Sequence, residues 1–150
     1  MAAPRHISPE PLEQVLYRLA RQVDAQCTRR PYREGTTNLW IYETISPVVH
    51  IAVPHQRPDA AAWAALLGLR YAHDQLSPAY AEGELAEHLL DDLVNRRWAW
   101  AVGRVAGWPG RWVCRVRRDV PLEHTAGSKA GAILGVLEVL WGEAGWWRRV

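Results

Sequence analysis

The side chains able to do chemistry are spread thinly along this sequence, and their spacing decides which reactions stay open. Six histidines and sixteen carboxylates invite a search for metal ligands. His50 and His55 stand five positions apart with Pro54 between them, a separation that neither strand nor helix periodicity brings onto one face. There is no His-x3-His and no cysteine pair at ligand spacing, and His73-Asp74 are chain neighbours whose side chains diverge. These read as surface or loop histidines, with no metal site.

Nucleophiles and phosphate cradles fare similarly. Ser128 lies in Ala126-Gly127-Ser128-Lys129-Ala130-Gly131, the kind of strand-to-helix passage where helix amides hold anions. A phosphate loop needs Gly-Lys-Ser/Thr after an earlier Gly, so that successive amides point inward and Lys reaches the phosphates. Here the order is Gly-Ser-Lys and the earlier Gly is missing. The acetyl-coenzyme A loop of N-acetyltransferases is normally followed by a strand, a helix and a strand, for which too few residues remain. Ser128 therefore reads as a helix cap, and the sequence offers no catalytic residue and no cofactor site.

Indole and guanidinium groups are the third chemistry. Trp98, Trp100, Val102 and Arg104 alternate with Ala99, Ala101, Gly103 and Val105. After a Gly107-Trp108-Pro109-Gly110 turn, Trp112, Cys114, Val116 and Arg118 alternate with Arg111, Val113, Arg115, Arg117 and Asp119. A slip of one residue exchanges the two faces of such a hairpin. An even turn sets Trp98 and Trp100 beside Arg115, Arg117 and Asp119, while Ala99, Ala101 and Gly103 pack against Trp112, Cys114 and Val116. An odd turn gathers Trp98, Trp100, Trp112, Cys114 and Val116 on one apolar face. Small-with-large packing favours the even turn. An aromatic–basic face suits a protein interface, where Trp and Arg are enriched. The alternative is single-stranded nucleic acid, with bases stacked on the indoles. A net charge of only +2 favours protein.

The elements that must position these groups follow from hydrophobic periodicity. A first helix begins at Ser8 or Pro9, runs on Leu12, Val15, Leu16, Leu19 and Val23, and ends near Cys27. Residues 29–35, with Pro31 and Gly35, read as a loop, and 38–44 and 48–53 as strands. Asp59 is a fitting cap for a helix over 60–69. A short third strand is expected near 69–74, then a helix over 84–95, the hairpin strands 97–105 and 111–120, and a final helix from Ser128 to about Trp141. Gly131 and Gly135, four apart on that helix, allow a neighbour to approach closely. Residues 145–150 close the chain as a short tail. The order is α-β-β-α-(β)-α-β-β-α: one α+β domain over 1–150, an antiparallel sheet with helices packed on one side. Val53-Pro54 and Val120-Pro121 each end a strand before a helix, but the spacing is too uneven to count as a repeat.

With 150 residues, 49% hydrophobic and 23% charged, the composition is that of a folded domain and not of a disordered chain. Two cysteines make no disulfide framework. No stretch is long enough to cross a bilayer, and residues 1–8 carry no apolar export segment, so a cytoplasmic location is the default. Charge is uneven: residues 54–95 are acidic and 96–150 basic.

The second half resembles a known family. Leu89-Leu90-Asp91-Asp92-Leu93-Val94-Asn95-Arg96-Arg97-Trp98-Ala99-Trp100, then Val102-Gly103-Arg104-Val105 and Arg111-Trp112-Val113-Cys114-Arg115-Val116-Arg117-Arg118-Asp119-Val120-Pro121-Leu122, is similar to the YbjN family, small bacterial proteins with the fold of type III secretion chaperones. The likeness covers residues 85–140; the first half agrees only in element order. It implies an α+β protein without an enzymatic site, often dimeric, that binds other polypeptides. The expectation is therefore a non-enzymatic, chaperone-like or regulatory homodimer. Its partner-binding residues would be Trp98, Trp100, Trp112, Arg111, Arg115 and Arg117 of the hairpin, with Trp146 and Trp147 of the tail.

Overall fold

A computed structural model describes residues 9–73, 82–95 and 97–150. The chain opens with α1 (Pro9–Gln22), β1 (Gln26–Glu34), β2 (Thr37–Ile45), β3 (Val49–Ile51), β4 (Pro54–His55) and α2 (Pro58–Ala72). It continues with α3 (Glu82–Val94), β5 (Ala99–Arg104), β6 (Trp112–Arg117), β7 (Leu122–Ala126), α4 (Lys129–Glu143) and β8 (Trp147–Arg149). The fold is α+β with antiparallel strands, and the strands divide into two sheets. One runs β1-β2-β3-β8 with β4 added to β2; the other is β5-β6-β7.

This order is a repeat. The series α1-β1-β2-β3-α2 recurs as α3-β5-β6-β7-α4, each element starting 71–75 residues after its counterpart. Uneven loops hide the repeat in the sequence: β1 and β2 are joined by Gly35-Thr36 alone, whereas the 105–111 connection separates β5 from β6. Two elements have no counterpart, β4 and β8.

Expectations about individual elements change. The helix α2 begins at Pro58 after Arg57 at its cap, so Asp59 lies inside the first turn and is not the cap. Of the expected loop 29–35 only Gly35 turns, because β1 runs through Glu34 with Pro31 on the edge of its sheet, where a missing N–H leaves one side of the strand unaffected. The first helix stops before Cys27, reversing at Asp24 with φ 55. Leu69 and Tyr71 continue α2 and form no third strand; Asp74 lies outside the described residues. Leu122–Ala126, expected as connecting chain, is the strand β7.

Each half stacks a helix pair on its sheet, and the two halves share one hydrophobic core. Every residue from Ala60 to Leu69 in α2 is buried, because that helix touches α1, α3 and α4 as well as β2, β3 and β4. An all-apolar helix needs such all-round cover. Its alanines let these neighbours come close, and its buried leucines each contribute roughly 1.5–3 kcal/mol. The final helix is capped as expected, Gly131 N donating to Ser128 Oγ at 3.0 Å. Its Gly135 lies under the His124 ring, which a Cβ there would overlap.

β8 joins the halves. Val49 pairs with Arg149 and Ile51 with Trp147, and the Trp147 indole lies over Gly68 of α2. A Cβ on Gly68 would come within 2.8 Å of that indole, so only glycine admits it. The indole is flanked by Trp141 and Tyr71, and its Nε1 donates to Glu138 at 3.1 Å.

Candidate functional site

The β5–β6 hairpin adopts the odd register. Trp100 faces Val116, Val102 faces Cys114 and Arg104 faces Trp112, leaving seven residues between the last paired positions. The even turn is thus corrected, and the faces exchange. Two backbone turns explain the odd count: Trp108 N donates to Val105 O, Arg111 N donates to Trp108 O, and Gly107 and Gly110 both take φ near +76°. Val105 N also bonds Arg111 O at 3.0 Å, extending the ladder by one step.

Trp98, Trp100 and Trp112 therefore lie on the inner side with buried Cys114 and Val116, and each is only partly exposed. Their outer rims are roofed. Arg97 and Arg118 lie 4.8 and 5.5 Å from the Trp98 ring, and Arg104 lies 5.1 Å from Trp112. Trp100 Nε1 donates to Asp91 of α3 at 3.2 Å. Arg118 also forks onto Glu143 at 2.7 and 2.8 Å, which holds that carboxyl below its ordinary range.

Arg115 and Arg117 occupy the outer face opposite Ala101 and Ala99, where no indole joins them. Arg115 pairs with Glu123 of β7. Arg117 and Arg111 are exposed and form no ion pair among the described residues. Trp146 is half-buried, and its backbone bonds Trp141 and Ala52. Trp147 is 6% exposed in β8, so it packs the core and offers no free anchor. Trp147 belongs to the sheet that the hairpin does not join, and Trp146 lies just before that strand.

One aromatic was missed as a site residue. Trp108 heads the hairpin turn with 65% of its surface exposed, flanked by Gly107 and Gly110. The signal is the Gly107-Trp108-Pro109-Gly110 run itself, which sets an indole among turn-forming residues at a loop tip.

Elsewhere several of the histidines are engaged in structure. No three His, Cys, Asp or Glu side chains converge as metal ligands among the described residues. His50 contacts Glu43 at 2.8 Å and His55 contacts Asp92 at 3.0 Å, both partly exposed. Buried His73 contacts Ser46 Oγ, whose lone pairs accept from Val48 N and Val49 N and tie the β2–β3 turn. A shallow pocket of about 230 Å³ is lined by Tyr17, Ala20, Arg21, Ala25 and Cys27. Burial pushes the Cys27 thiol up to about 11, against a smaller opposing effect of its bond from Thr44. No described helix is long and apolar enough to cross a membrane. No protein-family model and no curated protein matches the chain.

Proposed function

We propose that this chain is a non-enzymatic, cytoplasmic protein-binding domain, chaperone-like or regulatory, acting as a homodimer, in keeping with its resemblance to the YbjN family. A partner polypeptide docks on the tip and outer face of the β5–β6 hairpin. One observation carries the reading: a Trp exposed over most of its surface is held on a doubly turned tip beside Arg111, with Arg117 on the adjoining face. An indole presented this way gains buried area on docking with little ordering cost, because its turn is already set. Arg111 and Arg117 steer acidic segments toward it. Ala99, Ala101 and Gly103 keep the outer face of β5 low enough for another chain to lie against it.

The nucleic-acid alternative is weaker. A stacking platform needs bare indole faces, and Trp98 and Trp112 are already covered by guanidinium groups. The test is affinity capture from native lysate by the wild type and by a Trp108→Ala/Arg111→Glu/Arg117→Glu variant, with mass-spectrometric identification. A discrete protein retained only by the wild type, insensitive to nuclease, is the expected result. Identical captures from both, or recovery that nuclease abolishes, rejects the reading.

A further inference from the structure

The internal repeat has one unmatched position. Beside β3 lies β8; beside β7, the counterpart of β3, no described strand lies. The helices facing these two places differ in the same way. Both α2 and α4 have 15 residues, so Gly68 and Tyr71 correspond to Val139 and Gly142. Gly68 and Tyr71 lie against the indole of β8. Val139 is 40% exposed and Val120, just before β7, is 73% exposed, while a Cβ on Gly142 would meet only the Trp147 carbonyl, at 3.8 Å. The second half thus carries the ground for an added strand without the strand.

We propose that a second copy of this chain fills the place, β7 pairing antiparallel with β7 of the other copy about a two-fold axis at His124. The inference rests on the homodimer part of the proposed function and gives it a surface. In that register large Leu122 meets small Ala126, and the Glu123 carboxylate meets the Thr125 hydroxyl, each pair occurring twice by symmetry. The result is one six-stranded sheet with the two α4 helices side by side and Val139 and Val120 covered.

Strand composition favours this edge over the others. Arg29 and Arg30 of the β1 edge are matched by Glu13 and Glu43, but Pro31 takes a strand N–H away there and Arg33 adds a further guanidinium. β5 is bracketed by Arg97 and Arg104, and the short β8 carries Arg148 and Arg149. Two copies meeting at either would bring guanidinium groups together, whereas Glu123 of β7 is matched by Arg115. Neither Pro nor Lys blunts the strand itself.

Sedimentation of the full chain over a range of concentrations, with a Val139→Glu variant alongside, tests the assembly. A Glu123→Cys/Thr125→Cys variant tests the register, because positions 123 and 125 face each other only across this axis, and each single-cysteine variant lacks its partner. Burial keeps the native Cys27 and Cys114 thiols at about 11, so mild oxidation at neutral pH targets the introduced pair. Support is a concentration-dependent dimer that V139E weakens by at least about tenfold with unchanged circular dichroism and melting, together with covalent dimer from the double variant and none from the singles. A wild type that is monomeric at every concentration overturns both this inference and the homodimer reading. A dimer untouched by V139E and never cross-linked overturns the β7 placement alone, leaving the homodimer and the hairpin surface standing.

Discussion

Gly68 and Trp147 should show opposite signs of substitution depending on each other. Trp147→Ala removes a core indole held between Trp141 and Tyr71, with ring centroids 6.0 and 6.2 Å away. Such a truncation costs about 3–5 kcal/mol. Gly68→Ala in the wild type gains about 1 kcal/mol of helix propensity but sets a methyl group 2.8 Å from an indole carbon that has no room to retreat. Overpacking of that kind costs about 1–3 kcal/mol, so the single variant should be less stable than the wild type. In the Trp147→Ala background the rigid obstacle is gone. Only Ile51 Cδ1, at 3.0 Å on a side chain able to shift, remains close, and the alanine should then stabilise. The expected coupling is about 2 kcal/mol, well above the ~0.5 kcal/mol scatter of independent sites. Guanidinium titrations of all four proteins give the cycle by linear extrapolation, with the slope reporting whether the surface exposed on unfolding has changed. Additivity within that scatter would refute the placement of the indole over Gly68.

Gly135→Ala should lower stability by about 2–3 kcal/mol, since its methyl group would overlap the His124 ring; an unchanged melting temperature would contradict this. Glu43 is held below the ordinary carboxylate range by its bond to His50, then by Arg30, against the opposing effect of burial. A depressed folded value contributes stability above the unfolded pKa and loses it as pH falls through the folded one. Glu43→Gln should therefore flatten the acid limb of a denaturation series below about pH 5, and superimposable acid limbs would count against the pairing. Burial is the leading cause that pushes both Cys27 and Cys114 up to about 11. At pH 8 about one thiol in a thousand is ionised, so Ellman's reagent should titrate them quickly only after denaturant is added.

Where the fold was legible, the local signal and the tertiary environment agreed. Ser128 before an apolar run is a cap in both readings, and the leucines of α3 recur at helical spacing because one face is buried. β1 and β7 were missed for one shared reason: both are edge strands rich in polar residues, so hydrophobic alternation is weak. Pro31 then looked like a breaker, although an edge strand tolerates it. Register was the deeper obstacle. Small-with-large packing within the hairpin favoured an even turn, but the inner face is decided by α4, which lies against β6 and β7. No term in the hairpin alone reports that helix. The tail failed similarly, because nothing near Trp147 in sequence announces Gly68. Arg115, Arg117 and Arg111 stay outside in any register that buries the indoles, which is why the basic half of the surface was readable and the aromatic half was not.

The strand beside β3 also governs the order in which the molecule can be made. Val49 and Ile51 leave the ribosome long before Arg149 and Trp147, the residues that close their open side. During synthesis that margin stands bare, an invitation to wrong pairing of the kind that trigger factors and holdases suppress. The sheet of the amino-terminal half is completed only once β8 has been translated.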